Sequence, residues 1–312
     1  MLHDAEFHYD MSLASAIGRR DLQEDAVEGH FPAGQGLGYV VLADGMGGHA
    51  AGDVASRIVV QEFSAELARY AYDPDLLERN VGVILRRAMS RANRKVASHA
   101  FSQPARRGMG ATLVAPLIVR NRLYWISVGD SPLYLLRGDR MSRLNQEHSV
   151  AQRLDRMVMS GLISQVEADR NPDRFCLTSV LVGVDVPEID CRDRPIELQD
   201  GDILIVASDG ILSINEHRIA KQVFDSRALP STEINTRLLQ DIDAANDPYQ
   251  DNVSLCVVKI RARMDALKTS PAATPSALAE RNVNANQTVI QVHLRRGGTR
   301  EIRSFSSSIT RG

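Results

Sequence analysis

The stretch Tyr39-Val40-Val41-Leu42-Ala43-Asp44-Gly45-Met46-Gly47-Gly48-His49-Ala50-Ala51-Gly52 decides the reading of this chain. Its first five residues form an unbroken apolar run, the pattern of a buried strand. The run stops at Asp44, and Gly45, Met46, Gly47 and Gly48 follow as a turn with few side chains to shield that carboxylate. Beyond Gly52, the residues Val54, Ile58, Val59, Phe63 and Leu67 recur at helical spacing, which predicts a helix over 52–70. An acid at the end of a buried strand, beside a bare turn, is costly unless something binds it.

Working outward, 12–17 reads as a first strand running into the charged turn Gly18-Arg19-Arg20-Asp21-Leu22-Gln23-Glu24-Asp25. A second helical pattern covers 76–99. Short β-type runs occupy 111–119, 122–128 and 132–137, with turns at Asn121 and Gly138-Asp139. Residues 146–173 lose the strand pattern for helical spacing, an insertion of the kind that forms a lid or specificity element. Strands return at 189–198 and 202–207, helices at 216–224 and 232–245, and a last strand at 253–260. From Met264 the composition turns to Ala, Pro, Ser, Thr and Asn. The expected organisation is a lead-in at 1–11, one domain over 12–262, and an extension at 263–312 that is largely disordered. In that extension 288–294 alternates like a strand. Arg295, Arg296, Arg300 and Arg303 then precede Ser304, Ser306, Ser307 and Ser308, which reads as a docking or autoregulatory arm.

Bulk properties narrow the function. A net charge of -2 over 312 residues argues against bulk attraction to nucleic acid or an anionic membrane. The three cysteines, Cys176, Cys191 and Cys256, lie far apart with no C-x-x-C, as reduced thiols do. The first residues lack the regions of a signal peptide, and no apolar run reaches the ~18 residues of a membrane span. A cytoplasmic monomer is the expectation.

The chemistry lies in a repeated feature. Asp44, Asp130 and Asp209 each follow an apolar run, and Asp251 precedes one. A single such Asp is an ordinary turn former. Four of them, with the Glu24-Asp25 pair, would repel one another unless cations sat among them. An all-oxygen donor set selects magnesium or manganese over zinc. A competing pattern occupies the same stretch: Gly45-Met46-Gly47-Gly48-His49-Ala50 matches the dinucleotide fingerprint G-x-G-x-x-A. That fingerprint needs an acid about 20 residues on, at the end of a second strand. Glu66 stands there instead, inside a helical pattern, and the hairpins downstream disagree with a doubly wound sheet.

With Arg20-x-x-Gln23-Glu24-Asp25, Ala43-Asp44-Gly45-Met46-Gly47-Gly48, Gly108-Met109-Gly110-Ala111-Thr112, Val128-Gly129-Asp130-Ser131, Ser208-Asp209-Gly210 and Asp251-Asn252-Val253-Ser254 in this order, the chain resembles the PPM family of metal-dependent protein serine/threonine phosphatases. This is the type-two-C class, and its bacterial branch in particular. The resemblance implies an α+β fold, a four-layer α-β-β-α sandwich of two mostly antiparallel sheets flanked by helices. It implies two or three Mn2+ or Mg2+ ions per domain. Asp44 would bridge two of them, and Asp209 and Asp251 would complete one site. Glu24 and the Gly45 carbonyl would serve the other, Asp25 would orient a water, and Asp130 with Asp209 would hold a third ion. Arg20 would bind the substrate phosphate, a task suited to a guanidinium fork. Residues 147–183 correspond to a variable flap.

Phosphorylated proteins are then the substrates, hydrolysed by direct attack of water, and a serine/threonine kinase is the opposing partner. Two rival readings are a phosphatase dedicated to one regulatory phosphoprotein and a catalytically silent phosphoprotein-binding module. The intact set Glu24, Asp44, Asp209 and Asp251 argues against the silent module. The sequence departs from the family at Met46, where eukaryotic members carry a candidate proton donor, His. It departs again at Gln23, and near Leu177 to Gly183 at the end of the flap.

Overall fold

Strands buried on both faces set the architecture. Every residue of β3 (Leu37–Ala43) is buried, and its two faces meet different partners. Tyr39, Val41 and Ala43 pack among helical residues such as Val59, Phe63 and Leu85. Val40 and Leu42 face the other way, into a cluster with Val206, Cys256 and Val258 of the opposite sheet. Successive side chains point to opposite faces of a strand, so a strand covered on both sides must be apolar throughout. The same division runs along β12 (Val253–Ala262), where Val253, Leu255 and Val257 face helices while Cys256, Val258 and Ile260 face the other sheet.

The computed structural model describes residues 7–32, 36–47, 51–103, 106–262, 288–293 and 301–306. One sheet holds β2 (Ala26–His30), β3, β6 (Leu113–Val119), β7 (Arg122–Val128) and β10 (Asp190–Glu197), in the order β10-β7-β6-β3-β2. The other holds β1 (Phe7–Ala16), β12, β11 (Ile203–Ala207), β8 (Leu133–Arg137) and β9 (Arg140–Arg143), in that order. Strands β13 (Thr288–His293) and β14 (Glu301–Ser306) extend this sheet beyond β1. The rest of the 263–312 extension, with its expected disorder, lies outside the described residues. A small pair, β4 (Gly45–Met46) with β5 (Gly110–Ala111), sits beside the main sheets. Helices α1 (Gly52–Ala68), α2 (Pro74–Arg79) and α3 (Val81–Ser102) cover the first sheet, and α6 (Glu216–Ser226) and α7 (Ser231–Ala245) cover the second. Helices α4 (Val150–Met159) and α5 (Gln165–Asp169) occupy the insertion between β9 and β10. The four-layer α-β-β-α sandwich is the expected fold.

Strand β1 starts at Phe7, inside the segment expected as a lead-in. Phe7, Tyr9 and Met11 alternate with His8 and Asp10, and the apolar set packs against the inter-sheet core. Asp10, on the opposite face, accepts hydrogen bonds from Ser231 N (2.9 Å) and Ser231 Oγ (2.6 Å). It thus caps α7, whose own preceding residue, Pro230, offers no side-chain cap.

Strand register brings the acids together, because neighbouring antiparallel strands share their ends. Ala26 pairs with Ala43, which sets Asp25 beside Asp44. Leu113 pairs with Val128, placing the Asp130 turn near the start of β6. Ala207 pairs with Leu255 and Ala16 with Val253, so Asp209, Asp251 and the chain leaving β1 meet at one end of the second sheet.

Replacing Asp10 with Ala should destabilise the protein by about 0.5–2 kcal/mol, the usual cost of a lost N-terminal cap. The measurement is the urea midpoint, which should fall with the slope unchanged. A midpoint equal to wild type would show that water replaces this cap without loss.

Candidate functional site

Two glycines allow the backbone to close around the first acids. A Cβ on Gly45 would lie 2.1 Å from Gly52 O and 2.5 Å from Glu24 O. A Cβ on Gly52 would lie 2.5 Å from Glu24 Oε1 and 2.8 Å from Gly45 O. The Gly45 carbonyl and the Glu24 carboxylate therefore border one small space at the start of α1. Gly45 N–H donates to Glu24 O at 3.1 Å and closes the turn.

The acids' backbone and side chains are held by polar residues from other motifs, brought in across the fold. Thr112 Oγ1 accepts from Asp44 N–H (3.0 Å), Thr112 N–H donates to Asp44 O (2.8 Å), and the Thr112 hydroxyl pairs with Ser131 Oγ (2.8 Å). Ser208 Oγ donates to Asp25 Oδ2 at 2.7 Å, tying the second sheet to the first. Asn252 is 4% exposed and binds three points of the charged turn. Its Oδ1 accepts from Glu24 N–H (2.7 Å), and its Nδ2 donates to Ile17 O and Leu22 O, each at 2.9 Å. Sequence reasoning quoted Thr112, Ser208 and Asn252 within motifs but gave them no task. Their signal was their position directly beside an acid or, for Thr112, at the start of the strand pairing with β3.

Electrostatics show how closely the carboxylates crowd. Burial first, then Asp25, Asp209, Asp130 and Asp251, hold Asp44 well above the ordinary carboxylate range. Burial pushes Asp25 to about 7; the Ser208 hydroxyl opposes this and Asp209 adds to it. Asp130 also rises to about 7 through burial, then Asp209 and Glu147. Burial, then Asp251, raise Asp209, with Arg20 and the Gly210 N–H among the groups opposing. Burial raises Glu24 as well, with the Gly52 N–H and Arg20 opposing.

The structure thus gathers Glu24, Asp25, Asp44, Gly45, Asp130, Asp209 and Asp251 at one end of the sandwich. Arg20 is there too, with Nη2 2.5 Å from Asp251 Oδ2 and a side chain 56% exposed. Arg19 turns away, its Nη2 donating to Asn246 Oδ1 at 2.9 Å. Gly48 and His49 lie outside the described residues. Among the described residues no three His, Cys, Asp or Glu side chains close to metal-holding distance. The donor set nevertheless fits a hard cation. Asp25 Oδ1 and Asp209 Oδ1 are buried acceptors with no hydrogen-bond partner, and every nearby donor atom is oxygen, as Mg2+ and Mn2+ require. The cysteines are free. No helix among the described residues is long and apolar enough to cross a membrane.

Comparison with known proteins identifies the family. A family model described as Protein phosphatase 2C matches residues 14–240. The serine/threonine phosphatase stp of Listeria innocua is 30% identical over 220 residues, covering 70% of this chain and 83% of that protein. The crystal structure of the Mycobacterium tuberculosis serine/threonine phosphatase PstP/Ppp matches with a TM-score of 0.66 at 29% identity, over 82% of this chain and 99% of that one. The catalytic domain of PstP in complex with two manganese ions matches with a TM-score of 0.61 at 28% identity, over 82% and 98%. On a family match over residues 14–240, which includes Glu24, Asp44, Asp130 and Asp209, the chain belongs to the protein phosphatase 2C family and is a serine/threonine protein phosphatase of the bacterial type.

Proposed function

We propose that this phosphatase hydrolyses phosphoserine and phosphothreonine in proteins by direct attack of water, with no phosphoenzyme. In this reading Asp44, Glu24, the Gly45 carbonyl, Asp209 and Asp251 hold two Mn2+ or Mg2+ ions, and Asp130 with Asp209 holds a third. The observation that carries it is the pair of orphaned buried oxygens, Asp25 Oδ1 and Asp209 Oδ1, among carboxylates that raise one another's pKa. Bound cations supply Lewis-acid activation of water and neutralise the phosphoryl oxygens. Asp25, fixed by Ser208, presents an unpaired acceptor that orients the attacking water. Arg20 spends one donor on Asp251 and keeps further guanidinium donors for the phosphate. Phosphoproteins, an opposing serine/threonine kinase and a cytoplasmic setting belong to the same proposal; the free cysteines are its support for that setting.

Turnover of a small aryl phosphate should require Mn2+ or Mg2+ and stop in chelator. Asp44→Asn and Asp209→Asn should each lose at least about a hundredfold in kcat, in line with removing preorganised charge stabilisation. Full turnover in chelator, or restoration by zinc alone, would defeat the proposal.

The same carboxylates make the metal-free protein sensitive to pH. Asp25 and Asp130 titrate at about 7 when folded and near 4 when unfolded. The folded state therefore binds more protons between these values. Its stability is fully present below the unfolded pKa and is lost as pH rises through about 7. In chelator, Tm should fall from about pH 5 to pH 8, and Mn2+ should flatten that fall. A chelated protein whose Tm rises across this range contradicts the burial of these acids.

Arg20→Ala should lower kcat/KM on a phosphopeptide by about 10–150-fold, the worth of one charged hydrogen bond, with metal affinity little changed. Arg20→Lys should recover only part, lacking the planar fork. Arg19→Ala serves as the control, since Arg19 is occupied by Asn246. A larger loss for Arg19→Ala than for Arg20→Ala would reverse the assignment.

A further inference from the structure

The turn Gly129-Asp130-Ser131 is gripped by the last residue of β9 and the short segment that follows it. Arg143 Nη2 donates to Asp130 O at 2.6 Å, and Asn145 Nδ2 donates to Ser131 O at 2.9 Å. His148 makes two contacts with Gly129: its N–H donates to Gly129 O at 3.0 Å, and its Nδ1 accepts from Gly129 N–H at 3.1 Å. The imidazole is 3% exposed. Accepting at Nδ1 leaves the proton on Nε2, and burial holds the ring neutral. On its other side Gly129, at φ +102°, packs so tightly that a Cβ would lie 2.6 Å from Thr112 Cγ2. The same histidine roots the 147–183 insertion. Thr178 N–H donates to His148 O at 2.9 Å, and the next residue, Ser149, caps α4 through Gln152 N–H.

We propose that His148 is a positioning residue for Asp130, fastening its turn to the root of the insertion through Nδ1 and the backbone N–H. The inference rests on the reading of Asp130 as a cation ligand. Its physical basis is that the Gly129 N–H is buried and needs an acceptor. With that acceptor gone the turn must move to find another, and it carries the Asp130 carboxylate with it. Groups that orient ligands from behind typically alter metal affinity or activity by about 10–100-fold when removed.

The test compares His148→Leu, which keeps bulk and loses the acceptor, with His148→Asn, whose Oδ1 falls where Nδ1 stood. Mn2+ affinity by calorimetry, amide exchange at Gly129 and Thr178, and kcat and KM on an aryl phosphate and a phosphopeptide are read together. His148→Leu should weaken the weakest Mn2+ step about tenfold or more, deprotect Gly129, and raise KM for the phosphopeptide more than for the aryl phosphate. His148→Asn should restore most of each change. Asp130→Asn runs alongside. If it leaves Mn2+ binding untouched, the ligand reading of Asp130 fails and this inference falls with it. If Asp130→Asn weakens Mn2+ and His148→Leu does not, or if Leu and Asn are equally impaired, the inference alone is overturned. Should His148→Leu not fold, the imidazole nitrogen resonances of the wild-type protein decide: Nδ1 unprotonated is expected, and Nδ1 protonated overturns it.

Discussion

Burying like charges beside one another is the constraint on which this structure turns. Asp25, Asp44, Asp130 and Asp209 are drawn out of water by the sandwich itself, and neighbouring acids raise their affinity for protons further. Such a cluster persists only where the surrounding backbone is over-determined, and much of the local chemistry serves that end. Asn252 ties three points of the charged turn. Thr112 holds Asp44 from both sides of its peptide. Ser208 crosses from one sheet to the other to reach Asp25. Uncharged hydroxyls and an amide do this work because further charges would add to the imbalance or cancel the affinity for a cation.

The sandwich supplies the second half of the arrangement. Both sheets end at the site, and both are sealed on two faces by apolar clusters. Relative movement of the sheets would expose the Val40, Leu42, Val206 and Cys256 cluster between them. The spacing of Asp44 on one sheet from Asp209 on the other is therefore held by core packing as well as by polar contacts.

Much of this was legible in the sequence, and the reasons differ by element. The runs that became β3, β6, β7, β11 and β12 were readable because burial on both faces demands continuous apolar residues. Strand β2 was not, since Ala26-Val27-Glu28-Gly29-His30 is an edge strand with every residue half-buried and a glycine at its centre; pairing with β3 makes it a strand. The helix expected over 76–99 is two helices. Asp73 caps the first, with Pro74 just behind it, and Asn80 at φ −124° separates them. Helical periodicity continues across such a break and conceals it. At the site, the acids showed themselves by sitting at strand ends. Arg20's pairing with Asp251 and the cap that Asp10 provides 221 residues away did not, because sequence spacing carries no information about contacts made across the fold.

The position of β12 between β1 and β11 has a consequence for the order in which the molecule comes into being. The first carboxylates leave the ribosome early, but the strand that joins β1 to β11, with Asp251 at its head, comes more than two hundred residues later. Until then β1 and β11 lack the neighbour between them, and the two halves of the charge cluster cannot meet. Long-range closure of this kind is slow relative to local helix formation. A chain that has completed only the first sheet can set Asp25 beside Asp44, but it lacks the half of the charge cluster that Asp209 and Asp251 supply. The charge cluster is complete only once β12 takes its place between β1 and β11.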